Sequence, residues 1–467
     1  MITLITLDWL FFRRNLSLAL TLLLFALSLA LIAGLNASWT AQQRQAQGQA
    51  HAHIRQQWDE MGPANPHGAA HFGTYAFRPV SLLSSLDEGV QDVVGNVLRL
   101  EGHTQNELVF STASQATVVS RFGKLSPALL YQFFVPLVLI FLAFQLVQAE
   151  KDKGRLRLVL CAGISPRKWL LSKTLSVWLL SALLLFCAIA VQALALKTLL
   201  QADAISRLVV MLAAYLLYYF ILISWTVFLA SRWKNTGMSL TFMVSVWMLW
   251  SVFLPEVFGN WVEQRHPLPS RALFNQALQE DRAKGVDGHN PADQREQALQ
   301  DSVLAAYGVD SLSQLPINYD GLLMQADEEY GNKVWDRHFG KNDEILNQQK
   351  QSLQHLAAVN PFLAVQSLSM AAAGTDLHHH LDFLQQAESY RRFLIKALND
   401  EHAFGGSGTG EWDWQADGAF FSSLRDFSYE TPAFELAVPR YAMDGFVLLA
   451  WSLFSAAVLF FFPINLT

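Results

Sequence analysis

The sequence predicts an all-α polytopic membrane protein, with six transmembrane helices and two extracytoplasmic insertions, the second mainly helical. Three observations predict it. Of 467 residues, 52% are hydrophobic and only 15% charged, and mean hydropathy is positive at +0.23. Uncharged apolar runs long enough to cross a bilayer recur along the chain. Short connections between these runs are basic, whereas segment 262–440 holds roughly twice as many acidic as basic residues. The net charge of −6 is too mild for a nucleic-acid partner. The two cysteines, Cys161 and Cys187, lie in a basic connection and an apolar run, so neither insertion can form an internal disulfide.

Residues 1–14 (MITLITLDWLFFRR) carry one acid, Asp8, and end in Arg13 and Arg14. Too short to span, they predict a helix in the cytoplasmic interface with Trp9, Phe11 and Phe12 at headgroup depth. Residues 15–36 form the first span. Their apolar run exceeds a signal-peptide core and no A-x-A site follows, so the span is read as an anchor.

Segment 37–126 then lies outside. A Gln- and Ala-rich run (41–60) continues the first span as helix, a Gly- and Pro-marked loop follows at 62–73, and β-like or irregular stretches occupy 89–100 and 107–120. The second span, 127–148, contains Pro136 and predicts a kink. A cytoplasmic loop, 149–168, leads to spans three (169–197) and four (207–231). Arg232 and Lys234 mark a tight inner turn before span five, 237–258.

Segment 259–440 is large enough to fold on its own. Its helices are predicted at 270–284, 291–307, 324–359 and 375–403, the last with a buried stripe of Leu381, Leu384, Ala387, Tyr390, Leu394 and Leu398. Gly405 to Gly410 reads as a flexible loop, and span six is 441–463. One orientation satisfies the positive-inside rule at every connection, with both termini cytoplasmic.

Chemistry is read mostly by subtraction. The chain has no G-x-x-x-x-G-K-[ST] loop, no H-E-x-x-H and no nucleophile elbow. It predicts no catalytic residue, no bound cofactor and no metal ligand. All 13 histidines fall in the two insertions. The most conspicuous are His51 with His53, and His378, His379 and His380. The last three diverge on a helix, since consecutive residues point in different directions. Asp444 and Glu256 sit at the outer ends of spans six and five, where both are expected to reach water. With charges inside the spans nearly absent, ion-driven transport is disfavoured, and energy, if used, must arrive from outside the membrane through the basic loop.

That loop reads EKDKGRLRLVLCAGISPRKWLLSK from Glu150 to Lys173. It resembles the E-x-x-x-G-x-L-x-x-L-L … P-x-[ST]-R … K signature of type-2 ABC exporter permeases, and 379–403 resembles a subgroup with large extracytoplasmic segments. The loop departs from the pattern at Lys153, Arg157 and Cys161. The resemblance implies a coupling helix that docks on a separate cytoplasmic ABC ATPase, which would hold ATP and Mg. Glu150 and Gly154 would mark the end of span two and the turn. Arg155, Leu156, Val159 and Leu160 would make the docking segment, with Pro166 and Arg167 resetting the chain for span three. The resemblance further implies a bacterial inner-membrane location, spans one, two and five lining the path, and a second permease copy or sister permease. A periplasmic protein would meet the outer segments. The alternative from another class is a membrane-anchored receptor or assembly scaffold acting through its outer domain.

Overall fold

The computed structural model describes residues 1–81, 83–107, 125–152, 154–196, 202–233 and 235–462. The stretch expected to be β-like at 107–120 lies almost wholly outside these residues, as do Lys153 and Lys234. Among the described residues, six helices are long and apolar enough to cross a membrane, and the chain is an all-α polytopic membrane protein with almost no strand.

Helix α1 (Ile2–Arg14) ends at Asn15, whose extended backbone turns the chain and whose side chain caps α2 by accepting from Leu18 N at 3.3 Å. Helix α2 (Leu16–Asp59) runs unbroken for 44 residues. That is about 66 Å of helix against a hydrocarbon core of roughly 30 Å, so half of α2 stands clear of the bilayer. It is followed by α3 (Pro66–Phe72) and a two-stranded antiparallel ribbon, β1 (Thr74–Phe77) with β2 (Val97–Leu100), in register from Thr74 opposite Leu100. The second span, α4 (Pro127–Asp152), contains a π-turn at Leu130–Phe134 immediately before Pro136. The fifth span, α8 (Gly237–Arg265), uses the same device, with a π-turn at Leu249–Phe253 before Pro255. In each case the wider turn accommodates a residue that has no N–H to donate.

Between them lie the short helix α5 (Arg155–Cys161) and two long spans, α6 (Pro166–Leu196) and α7 (Ala202–Arg232). The fifth span, α8 (Gly237–Arg265), is followed by α9 (Arg271–Lys284), α10 (Ala292–Tyr307), α11 (Tyr319–Leu356), α12 (Pro361–Ala373), α13 (Leu377–Phe404), α14 (Gly418–Ser423) and the sixth span, α15 (Phe434–Phe461).

Two apolar cores result. The first joins the spans around Leu139, Tyr215, Tyr218 and Leu448. Helix α12 belongs to it. Its Phe362 is fully buried, with ring contacts to Phe133 of α4 and Tyr218 of α7. The sequence places 361–373 inside an outer domain and predicts no helix there. The structure instead packs this run of small and apolar residues against the spans, because it has no polar face to offer water.

The second core joins Trp58 of α2, Ala69 and Ala70 of α3, Leu98 and Leu100 of β2, the inner face of α13, and Phe421 of α14. The two insertions are therefore one folded unit. Ala64 and Ala416 exchange backbone hydrogen bonds across them, and Arg55 donates to the carbonyls of Ser422 and Leu424. The expectation that 259–440 folds alone is corrected here. The stripe of α13 finds its partners in the first insertion, which the apolar pattern of one segment cannot reveal.

Gly321 shows how tightly this unit is closed. A Cβ there would stand 2.6 Å from the backbone nitrogen of Ala403. Gly321→Ala gains about 1 kcal/mol of helix propensity but forces backbone apart at a cost of about 1–3 kcal/mol. The clash wins, and the variant should melt at lower temperature in a detergent thermal-shift measurement.

Candidate functional site

The end of the bundle away from the insertions is basic and carries α5. Gly154 adopts a left-handed conformation (φ 66°) that ends α4 and starts α5, and Gly163 (φ 85°) ends α5 in the same way. Ser165 then accepts from Lys168 N at 3.4 Å, and Pro166 occupies the first helical position of α6, where a missing N–H costs nothing. The two glycines set the seven-residue helix α5 apart as a short peg.

The peg has two faces. Leu156 is turned inward, 7% exposed, within the bundle core, and Val159 and Leu160 are half-buried against it. Arg155, Arg157, Leu158 and Cys161 face outward, with Leu158 70% exposed. Of the residues expected in the docking segment, Arg155 is thus exposed, Val159 and Leu160 are half-buried and Leu156 is buried, while Leu158, which sequence reasoning passed over, is the apolar residue most on show in α5. Arg167 is exposed, its guanidinium 4.8 Å from the Phe460 ring of α15.

Beneath the peg lies a buried charge cluster. Lys173 of α6 is 1% exposed and binds Asp8 of α1 and, at 2.5 Å, Glu150 of α4. Trp169 Nε1 donates to the other Glu150 oxygen at 2.6 Å, and Ser176 Oγ lies 2.7 Å from Asp8. Trp9 Nε1 reaches the Ser176 carbonyl at 3.1 Å. Nearby, Lys151 donates to the carbonyls of Ala230 and Trp233 at 2.9 and 2.8 Å, satisfying the C-terminus of α7. Beneath α5, short polar links thus tie α1, α4, α6 and α7 to one another.

At the opposite end, α12 meets the spans through a second buried polar set. Asp87 of the first insertion accepts from Ser369 of α12 at 2.5 Å and from Gln132 of α4 at 3.3 Å, and Tyr215 of α7 pairs with Ser369 at 2.8 Å. Burial holds the Asp87 carboxyl above its ordinary range. Asp444 does not reach water as expected. It is 0% exposed and accepts from Gln354 and Ser367 at 2.8 and 2.9 Å, because α11 and α12 fold over the head of α15. Glu256 is exposed. His378, His379 and His380 diverge. His378 sits beside the Tyr441 ring, while His379 is bonded to Asp376 and contacts Arg207.

A six-span helical bundle that presents a basic peg at one end and a folded cap at the other defines a multi-pass membrane protein. The chain belongs to the ABC-2 transporter family: the family described as ABC-2 family transporter protein matches residues 2–304. A domain of unknown function, DUF3526, matches residues 271–430. No curated protein and no solved structure matches the chain. It is a permease subunit of an ABC transporter, of a family that normally works with an ABC ATPase subunit.

Proposed function

We propose that this permease couples ATP hydrolysis on a separate cytoplasmic ABC ATPase, which holds the ATP and Mg, to outward movement of a substrate or to mechanical work across a bacterial inner membrane. The observation that carries the reading is α5, held between two left-handed glycines with Arg155, Arg157 and Leu158 outward. An apolar residue ringed by arginines suits a groove with an acidic rim. In this reading α5 is the coupling helix, with Leu156, Val159 and Leu160 fixing it to the bundle. In this reading, which the positive-inside rule supports, this end and both termini face the cytoplasm and the cap faces the periplasm.

A second permease copy or sister permease fits the unequal packing of the spans. Only 11% of the apolar window of α2 and 17% of that of α8 is buried, against 67% for α4. Spans one and five thus keep free apolar faces, on which a partner permease would close a path. The cap shares its core with α2 and meets α4 and α7 through Asp87, so it would move with the spans and gate the exit or receive a periplasmic protein.

The test uses the full chain co-purified with the ABC ATPases encoded beside it. Leu158→Asp places a charge in an apolar seat and should cost about 2–4 kcal/mol of docking energy, roughly 30- to 1000-fold in affinity. Arg155→Glu should weaken docking in the same direction. Permease-stimulated ATP turnover should fall with both. Wild-type association and turnover in both variants would refute the coupling assignment.

A further inference from the structure

From the geometry we infer that His67, His71 and His103 form a binding site for a single divalent late first-row transition-metal ion of the Zn2+ or Cu2+ class. Their candidate ligand nitrogens all lie within 4.8 Å of one another. This is independent of the coupling reading and concerns the opposite end of the molecule.

His103 lies 32 residues beyond His71, and the fold brings it to the histidine pair on α3. His67 and His71 are four residues apart on α3, so they project from one side of the helix. Their Nε2 atoms stand 3.1 Å apart. Two imidazoles bound to one ion at about 2.0–2.1 Å have nitrogens roughly 2.9–3.4 Å apart for angles between square and tetrahedral, so the pair already has the separation of ligands to a shared metal. Asn65 caps α3 at its start, and its Nδ2 reaches the Trp412 carbonyl at 2.7 Å, which fixes the helix on the cap.

His103 arrives from the turn after β2. Among the described residues it is the non-glycine residue with positive φ, at 62°, a conformation that side-chain-bearing residues adopt at a cost. The turn is held from two sides. Its backbone N–H donates to Glu328 of α11, and its carbonyl accepts from Arg282 of α9 at 3.2 Å. Nδ1 of His103 lies 3.2 Å from Glu328, leaving Nε2 as the ligand atom. A carboxylate on the far nitrogen is the arrangement that fixes the tautomer and orientation of metal-binding histidines. Trp412 packs 5.7 Å from the His67 ring and shields one side. Borderline divalent ions favour imidazole donors, and a three-histidine set leaves a fourth position for water or an exogenous ligand. Bound there, the ion would lock α3 to the β2 turn and so stiffen the first insertion against α11.

The experiment takes the full-length protein in detergent, purified without a polyhistidine tag and stripped with chelator. ZnCl2 is titrated by calorimetry, and bound zinc is counted by elemental analysis after dialysis. One saturable Zn2+ per chain is expected, together with a rise in melting temperature. His67→Ala and His103→Ala should each weaken binding at least tenfold and abolish the thermal shift. The exposed His71 gives a third variant, His71→Ala, in which misfolding is not at issue. His53→Ala and His289→Ala, altering exposed histidines elsewhere, should bind as wild type. With Cu2+ as probe, electron paramagnetic resonance should show coupling to three nitrogens in wild type and fewer in His71→Ala. Absence of a saturable ion, or stoichiometry and affinity unchanged in the His67→Ala/His71→Ala double variant, would overturn the assignment.

Discussion

Lys173→Met should destabilise the protein by about 3–5 kcal/mol, the cost of stranding buried charge when one partner of an ion pair is removed. Lys173 is the shared cation of Asp8 and Glu150, and Asp8 is only 2% exposed. Without it, Glu150 keeps Trp169 as a donor and Asp8 keeps Ser176, but among the described residues neither retains a positive charge within reach of a salt bridge. The loss should depend on pH with a definite sign. Burial already pushes the Asp8 carboxyl above its ordinary range, against the opposing pull of Lys173 and Ser176, and deleting Lys173 pushes it further. A carboxyl whose folded pKa is raised contributes stability below its unfolded pKa and loses it as pH rises through the folded value. Lys173→Met should therefore melt closer to wild type at pH 5 than at pH 8 in a detergent thermal-shift assay. Asp8→Asn in the same chain should recover part of the difference at pH 8. Equal losses at both pH values, with no recovery, would mean that Asp8 does not depend on Lys173.

The cluster also marks the limit of what could be read from the chain. Asp8 and Lys173 are visible as the lone acid of an apolar N-terminal stretch and a lysine at the head of a span, yet they are 165 residues apart and nothing local pairs them. The spans were legible because lipid demands long uncharged runs, and the break at Asn15 because paired arginines interrupt one. The direction in which α5 faces was not. A seven-residue helix with leucines at 156, 158 and 160 has apolar side chains on more than one side, and only the surrounding bundle decides that Leu156 turns in and Leu158 out. Helix α12 escaped for a related reason: an apolar run of 13 residues is too short to span, so its burial depends on which helices are near. The three histidines of the proposed metal site were likewise invisible, because the pair on α3 acquires its third member only through the β2 turn.

Arg391→Met should cost about as much, again about 3–5 kcal/mol, but the damage should fall on the cap. Arg391 of α13 is 1% exposed and uses its whole guanidinium. Nε and Nη2 donate to the two Glu388 oxygens at 2.8 and 2.9 Å, Nη1 donates to Glu328 of α11 at 3.0 Å, and Nη2 also reaches Asn332 at 2.6 Å. The plane lies 4.8 Å from the Trp335 ring centroid. Glu388 keeps Arg392 as a partner, so Glu328, 2% exposed, is the charge left worst compensated. Lysine cannot substitute, since one ammonium does not reproduce a planar fork with donors in three directions; Arg391→Lys should recover little. Because Glu328 also holds the His103 turn, the loss should spread from the α11–α13 contact into the first insertion, while the spans, which have a separate core, stay folded. Limited proteolysis should cut both insertions of Arg391→Met well before wild type and leave the spans protected. Cleavage confined to α11 and α13 would show that the two insertions are less closely joined than their common core implies.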